Sequence, residues 1–389
     1  MPSAVNWDER LAKRLMTQDM RNLYRERNVM EGAQGPSVRL EGKEYISFCS
    51  NDYLSLANHP GVLKAFKSGV DQYGVGSGAS HLISGHSAAH HDLEVALAEF
   101  TGRDQALLFS SGYMANVGVL TTLMEEGDVI LSDRLNHVSL NDGARLSSAT
   151  LRRYLHVDIN SLQQKLLKDE NAKKLIVSDG VFSMDGDIAP LKRLSKVAQQ
   201  NHAWLMVDDA HGMGVLGNNG AGSLDHHKMG QDDVQILMAT LGKSIGVSGA
   251  FVAGSKGLID CLIQFSKNYC YTTAMPPALA VAAKYSLGLV KKEHWRREKL
   301  RELIRQFKQG AEQLGLQLLP SETPVQPLII GDAQQAVILS NQLKQKGLLV
   351  PAIRAPSVPK GEERMRISLC AGHSDIHVDK LLSAISEFR

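Results

Sequence analysis

The sequence contains few cysteines, has almost no net charge and lacks any long apolar segment. Its four cysteines form no Cys-x-x-Cys pair, so neither a disulfide framework nor a zinc knuckle is indicated. A total of 43 basic against 41 acidic residues argues against binding to nucleic acid or a membrane surface through bulk charge. No apolar run could span a bilayer, and the polar N-terminus lacks the apolar core of a signal peptide. We therefore expect a cytoplasmic protein.

The chain does have enough length and apolar content for a large core. With 389 residues, 43% of them hydrophobic, it should form more than one domain. We expect an N-terminal arm over residues 1–45, a large domain over 46–290 and a smaller α+β domain over 291–389. Apolar strands alternate with helices in the large domain, which predicts an α/β fold with a mainly parallel sheet covered on both faces.

One lysine stands out as a candidate for chemistry. Lys243 follows an apolar strand in the segment Thr240-Leu241-Gly242-Lys243-Ser244-Ile245-Gly246, whose glycines let backbone approach a bound group. A lysine that loses its proton easily can form an imine with an aldehyde, and pyridoxal phosphate is the commonest aldehyde cofactor. Taken alone, however, a lysine between glycines is more often a solvated loop residue.

A carboxylate upstream strengthens this interpretation. Asp208 ends the apolar stretch that begins at Trp204, and open α/β sheets bind their ligands at the carboxyl ends of strands. From there Asp208 can keep a pyridine nitrogen protonated, so that the ring draws electrons from a substrate. Lys243 and Asp208 together predict a pyridoxal-phosphate site.

Three motifs of this chain resemble those of the α-oxoamine synthases: Val207-Asp208-Asp209-Ala210-His211-Gly212, Thr240-Leu241-Gly242-Lys243 and Val181-Phe182-Ser183-Met184-Asp185-Gly186. The likeness extends from about Tyr24 to the C-terminus. It implies a fold-type I large domain like that of aspartate aminotransferase, pyridoxal phosphate as cofactor, and a homodimer with shared active sites. It also implies an acyltransferase that joins an amino acid to an acyl thioester with loss of carbon dioxide.

The resemblance favours L-alanine and a pimeloyl thioester, carried on coenzyme A or acyl carrier protein, as the substrates. Glycine with acetyl-CoA, or another acyl chain, is the main alternative. Two further alternatives are a catalytically silent synthase subunit and an aminotransferase. Retention of Lys243, Asp208, His137 and His211 argues against the silent subunit.

The resemblance also implies roles for individual residues. His137 would stack on the pyridine ring, and the amides at the start of a helix, at Ser111, Gly112 and Tyr113, would hold the phosphate. The threonine pair Thr272 and Thr273, which precedes a predicted long helix, would reach the cofactor of the partner subunit. The catalytic residues would be Lys243, His137, Asp208 and His211. The full set expected to bind the cofactor is Ser111, Gly112, Tyr113, His137, Ser183, Asp208, His211, Thr240, Lys243, Thr272 and Thr273.

Four residues are expected to bind substrate. Arg354 is assigned to the amino-acid carboxylate, which suits a bidentate guanidinium, and Arg364 or Arg366 would take its place if the alignment slips. The resemblance places Asn51 near the active site, and Arg25 and Ser357 near the acyl substrate.

A glycine-rich segment, Tyr73 to His86, is not a dinucleotide fingerprint, because no apolar strand precedes it and its glycines do not have the required spacing. The resemblance implies that it lines the substrate channel of the neighbouring subunit. His86, His90 and His91 suggest a metal site, but no third ligand appears in a Glu-flanked zincin motif. We therefore favour an ordinary polar loop and helix face, and expect no metal.

Overall fold

The structure is a computed structural model that describes residues 6–20, 23–24, 27–167 and 172–388. Helix α1 (Trp7–Met20) comes first and has no buried residue. A hairpin follows as β1 (Ser37–Leu40) and β2 (Lys43–Ser47). Its two turn residues, Glu41 and Gly42, both have positive φ angles of 51° and 72°, as a type I′ turn requires.

Two helices lead into the central sheet. Helix α2 spans Pro60–Tyr73 and α3 spans Ala88–Thr101, and a short π-helical segment, His81–Gly85, lies between them. The side chain of His59 caps α2 by accepting a hydrogen bond from the amide of Gly61 at 3.1 Å. The glycine-rich segment therefore connects two helices rather than a strand and a helix.

The predicted alternation of strands and helices is confirmed in the large central unit. Its elements are β3 (Gln105–Phe109), α4 (Gly112–Leu123), β4 (Val129–Asp133), α5 (Val138–Leu146), β5 (Thr150–Tyr154), α6 (Ile159–Leu166), β6 (Lys174–Asp179), α7 (Leu191–Gln200), β7 (Trp204–Asp208), α8 (Ser223–His227), β8 (Ile236–Thr240) and β9 (Ala250–Gly254). The seven strands lie in the order β3-β9-β8-β7-β6-β4-β5. Strand β9 runs antiparallel to both of its neighbours, and the other pairs are parallel.

Both faces of this sheet are covered, which explains its almost continuously apolar strands. In β6, Leu175 and Val177 pack into one apolar cluster, whereas Ile176 packs into the cluster on the opposite face. In β7, Met206 and Val207 divide between the same two clusters. Alternate residues thus anchor the sheet to two helical layers, and the strand ends are fixed in position.

The C-terminal part begins with helices α9 (Lys256–Phe265), α10 (Lys267–Cys270), α11 (Pro277–Lys292) and α12 (His294–Gln313). It continues with β10 (Val325–Ile329), α13 (Ala333–Gln345), β11 (Leu348–Leu349), β12 (Ala352–Ile353), β13 (Arg364–Ser368) and α14 (Asp375–Ser386). An antiparallel sheet has the order β10-β13-β12. None of the helices in the described ranges is both long and apolar enough to cross a bilayer.

The structure corrects one strand of this part. The sequence predicts a single strand from Leu348 to Ile353, but the chain forms two short strands that join different sheets. Strand β11 pairs in parallel with β2, and β12 pairs with β13. Pro351 lies between them and has no N–H to donate, so the ladder cannot continue through it. The N-terminal hairpin is thereby joined to the C-terminal part, and the three domain limits stay a prediction.

Candidate active site

A small pocket lies at the carboxyl ends of the central strands. It has a volume of about 210 Å³ and contains most of the predicted cofactor residues. Its lining consists of Gly112, Tyr113, Asn116, His137, Ser139, Asp179, Val181, Ser183, Asp208, Ala210, His211, Met238, Thr240 and Lys243. Parallel strands bring residues that are remote in sequence to one edge of the sheet, and this edge is where such folds bind ligands.

A chain of hydrogen bonds starts at the lysine. Nζ of Lys243 lies 2.8 Å from Nε2 of His211, whose Nδ1 lies 2.7 Å from the hydroxyl of Tyr53. The Tyr53 hydroxyl donates to Oδ1 of Asn51 at 3.1 Å, and Nη2 of Arg366 donates to the same oxygen at 3.2 Å. Every contact is satisfied when His211 carries its proton on Nδ1 and accepts from Lys243 through Nε2.

Burial makes the lysine amine unusually ready to lose its proton. Desolvation lowers the pKa of Lys243 to about 8; the charges of Asp208 and Asp179 oppose this shift and that of Arg366 reinforces it. Desolvation, with the neighbouring cations Lys243 and Arg366, also holds the pKa of His211 well below its ordinary value. His211 is therefore a neutral ring that accepts a hydrogen bond from the amine.

Asp208, at the end of β7, is held by two donors. Its Oδ2 accepts from Nδ2 of Asn116 at 2.7 Å, and its Oδ1 accepts from the amide of Ala210 at 3.1 Å. Nδ2 of Asn116 also contacts the Ser139 hydroxyl at 2.9 Å. Asn116 was not predicted from the sequence, although a polar residue in the buried middle of an apolar helix, one turn after the phosphate-binding motif, is a usable signal.

A second carboxylate lies beside Asp208. Asp179 is its direct neighbour in the register of β6 and β7. Burial first, and then the charge of Asp208, raise the pKa of Asp179 well above its ordinary value. The backbone amide of His137 donates to both Asp179 oxygens, at 3.3 and 3.2 Å. Asp179 thus fixes the backbone that carries the predicted stacking residue.

The ring of His137 lines the pocket from the start of α5. Its Nδ1 lies 2.7 Å from the Ser139 hydroxyl, and desolvation lowers the pKa of the ring. Asn136 braces this corner, since its side chain donates to the Val177 carbonyl at 2.8 Å and accepts from the Asp179 amide at 2.9 Å. The imidazole is therefore held on a rigid strand end.

The first turn of α4 provides the anion-binding end of the pocket. The Ser111 hydroxyl caps the helix by accepting from the amide of Met114 at 3.2 Å. Gly112 and Tyr113 occupy the first helical positions, where backbone N–H groups have no partner within the helix and the dipole is positive. These residues suit a phosphate. Lys243 could bind the aldehyde of the cofactor, and Asp208 could pair with its ring nitrogen. The pocket therefore fits pyridoxal phosphate.

Several predicted residues are absent from this lining. Ser357 borders a larger cavity of about 1110 Å³, while Thr272 and Thr273 precede α11. Arg354 follows β12 and is half-buried, and Arg25 lies outside the described residues. The roles predicted for these residues from the sequence remain predictions.

The two alternative arginines differ sharply in their surroundings. Arg364 is paired with Asp185 at 2.7 Å and Glu362 at 3.1 Å. Arg366 contacts Asn51 and also donates through Nε to the Ser183 carbonyl at 2.6 Å, next to the pocket. Arg364 is therefore occupied by carboxylates of the protein itself, whereas Arg366 belongs to the network that ends at the lysine.

Comparisons with known proteins agree with this geometry. The family model "Aminotransferase class I and II" matches residues 43–385. An 8-amino-7-oxononanoate synthase from Pseudomonas putida is 55% identical over 377 residues, which cover 97% of this chain and 96% of the relative. A serine palmitoyltransferase structure from Sphingomonas wittichii has a TM-score of 0.92 at 31% identity and covers 100% of this chain and 98% of its own. The structure of 8-amino-7-oxononanoate synthase from Francisella tularensis has a TM-score of 0.78 at 32% identity, covering 88% and 97%.

The fold and the pocket define a pyridoxal-phosphate enzyme of fold type I, an α/β protein with a mainly parallel sheet. Its reaction class is acyl transfer. The chain belongs to the aminotransferase class I and II family and, within it, to the 8-amino-7-oxononanoate synthases, which are α-oxoamine synthases. The family resemblance, fold class and cofactor expected from the sequence are confirmed.

Attachment of pyridoxal phosphate should depend on the neutral form of Lys243, whose pKa is about 8. The rate of attachment to cofactor-free protein should rise with pH and level off above this value, because only the neutral amine attacks an aldehyde. Borohydride trapping followed by peptide mass spectrometry measures this rate and identifies the modified lysine. Lys243→Ala should trap no cofactor, whereas Lys256→Ala, which removes an exposed lysine paired with Asp260, should match wild type. A rate independent of pH, or trapping in Lys243→Ala, contradicts the assignment.

Proposed function

We propose that this protein condenses L-alanine with a pimeloyl thioester, on coenzyme A or acyl carrier protein, and releases carbon dioxide to form 8-amino-7-oxononanoate in biotin biosynthesis. The observation that carries the proposal is the buried Lys243 amine beside Asp208, in a chain 55% identical to a synthase of that name. We also propose that it acts in the cytoplasm.

The pocket residues divide the chemistry between them. When bound, pyridoxal phosphate supplies an electron-withdrawing ring that stabilises negative charge at the α-carbon of an amino acid. Asp208 keeps a proton on the ring nitrogen, and Asn116 holds Asp208 in place. The amine of Lys243 removes the α-proton, since a base with a pKa of about 8 exchanges protons readily near neutral pH. His211, 2.8 Å away, orients that amine.

Arg366 and Asn51 are the residues best placed to hold the alanine carboxylate. Arg366 is only 6% exposed and donates to Asn51 at 3.2 Å. Its charge also lowers the pKa values of both Lys243 and His211, which places the guanidinium close to the reacting amine. We therefore assign the carboxylate to Arg366 in place of Arg354, the residue favoured by the sequence.

The larger cavity beside the catalytic pocket suits the acyl donor. It is lined by Asn136 and Val138, which flank the pocket residue His137, and by Ser357 and the apolar Val358. Its basic residues are Arg134, Arg145, Arg153 and Lys360, together with Arg364, which is paired with Asp185 and Glu362 of the same lining. An acyl chain in this cavity would point its thioester at the pocket, and the basic rim would face the anionic carrier.

A homodimer with shared sites is also part of the proposal. An isolated bridge between Ser80 and Thr273 ties the glycine-rich segment to the threonine pair, so both lie on one surface. That surface exposes large apolar side chains, with Val75 at 81%, Ile83 at 80% and Tyr271 at 84%. A second copy of the chain would cover them and receive the threonines at its cofactor phosphate.

Substrate choice is tested by comparing alanine with glycine, each with pimeloyl-CoA and acetyl-CoA. We expect the highest kcat/KM for alanine with pimeloyl-CoA, and a preference over glycine of about tenfold or more, because a methyl-sized difference is worth about 1–3 kcal/mol. A preference for glycine with acetyl-CoA would instead identify a glycine C-acetyltransferase. Ketone formed from alanine without any thioester would indicate an aminotransferase, and failure to bind cofactor a silent subunit.

The carboxylate assignment is tested with matched lysine variants. Arg366→Lys should raise KM for alanine by about tenfold or more, since a charge-assisted hydrogen bond contributes about 1.5–3 kcal/mol and lysine cannot reproduce the bidentate fork. Arg354→Lys is the control and should change this KM little. Steady-state kinetics at saturating thioester measure both variants. The reverse pattern would restore Arg354 as the carboxylate ligand.

Site sharing is tested by making a mixed dimer. One chain carries Lys243→Ala, and the other carries Thr272→Val with Thr273→Val, and each homodimer alone should have little activity. If the threonines act across the interface, the purified mixed dimer has one intact site and regains activity. If they act within their own chain, both sites stay damaged and the mixed dimer is as inactive as its parents.

A further inference from the structure

A group of four histidines and one glutamate lies outside the active-site pocket, at the start of α3. His81 opens the π-helical segment and His86 follows it, while His90, His91 and Glu94 lie on the first turns of α3. A cavity of about 620 Å³ is lined by His81, His86, His91 and Glu94. None of these side chains lines the catalytic pocket or is assigned a chemical step in the proposed reaction.

One of the histidines is fully occupied by the fold. Nδ1 of His90 accepts from the amide of Ser87 at 3.1 Å, as part of the capping box of α3. Its Nε2 lies 2.7 Å from the carbonyl oxygen of Met275, which can only accept, so this nitrogen carries the proton. His90 therefore has no nitrogen lone pair to offer to another partner.

His86, His91 and Glu94 converge instead. The possible ligand atoms of the three all lie within 4.8 Å of one another, and Nε2 of His86 is 3.8 Å from Oε2 of Glu94. Glu94 is fixed because its Oε1 accepts from the amide of Leu108 in β3 at 3.0 Å. Ligand atoms around a tetrahedral zinc ion are roughly 3.3–3.6 Å apart, given bonds of about 2.0–2.2 Å. The three ligand atoms, which lie within 4.8 Å of one another, would have to move closer to reach that spacing.

His81 is placed to orient the nearest of these groups. Its Nδ1 lies 2.9 Å from Nδ1 of His86, so His86 can donate from Nδ1 to His81 and keep the lone pair of Nε2 directed towards Glu94. The ring of His81 is held by stacking on Tyr269, with centroids 4.8 Å apart and an interplanar angle of 11°.

We propose that His86, His91 and Glu94 bind a divalent transition-metal ion of the zinc class, and that His81 is a positioning residue for His86. Two imidazoles and one carboxylate are a common zinc donor set, which leaves a position for water. The bound ion would connect the glycine-rich segment to α3. Glu94 belongs to no zincin motif and was therefore not predicted as the third ligand, but it follows His91 by three residues and lies on the same face of the helix.

The test is metal binding by the untagged holoenzyme after chelator treatment. Zn²⁺ is titrated in competition with a chromophoric chelator, and Co²⁺ is titrated while its visible absorption is followed. Wild type should bind one ion per chain. Glu94→Gln and His91→Ala should each weaken binding by about 100-fold or more, and His81→Phe, which keeps the stacking on Tyr269, by about 10–100-fold.

The control is His226→Ala, which removes one of two adjacent histidines in α8 whose rings are 4.9 Å apart. It should bind metal as tightly as wild type. Glu94→Gln keeps the size of the side chain and the acceptor for Leu108, so its circular dichroism and cofactor absorbance should match wild type. Equal affinity of wild type, Glu94→Gln and His91→Ala would overturn the proposal, because the ion would then be held by the cofactor or by scattered surface groups. No binding by wild type would overturn it as well.

Discussion

The buried amine of Lys243 is the constraint on which the rest of the structure depends. Desolvation lowers the pKa of this amine, the charges of Asp208 and Asp179 raise it again in part, and the balance places the pKa at about 8. The loop that carries the lysine packs closely against the backbone at Ala57. Gly246 has a φ angle of +72°, and an added Cβ there would lie 2.5 Å from the backbone nitrogen of Ala57. The amine is thus held by a turn that accepts only glycine.

The central sheet gathers the groups that act on this amine. Parallel strands end at a common edge, so β6 delivers Asp179, β7 delivers Asp208 and β8 leads to Lys243. Buried carboxylates side by side are costly, and burial also raises the pKa of the adjacent Asp209 to about 7. The fold tolerates this acidic edge because backbone amides, Asn116 and the cations of the pocket offset it. A ring nitrogen that needs a proton fits that environment.

The sequence predicted the parts of the site that have a local pattern. Lys243, Asp208 and the first turn of α4 each follow an apolar strand, and a strand end followed by small or polar residues is recognisable without any structure. Tyr53, Asn116 and the position of Arg366 have no such pattern. Tyr53 reaches His211 across 158 positions of chain, and Arg366 reaches Asn51 across 315. Spacing along the sequence carries no information about contacts of that kind, which arise from the packing of separate elements.

Composition, strand periodicity and motif residues by themselves determined the α/β class, the cofactor and the family of this protein. Only the tertiary structure decided which side chains meet. It separated Arg364, paired with Asp185, from Arg366, which joins the lysine network. It also brought Glu94 to His86 and split the strand at Pro351. The physical reason is that hydrophobic periodicity and turn chemistry depend on residues close together in the sequence. Hydrogen bonds and charge interactions depend instead on atoms close together in space. Only the folded structure shows which residues that are remote in sequence become neighbours in space.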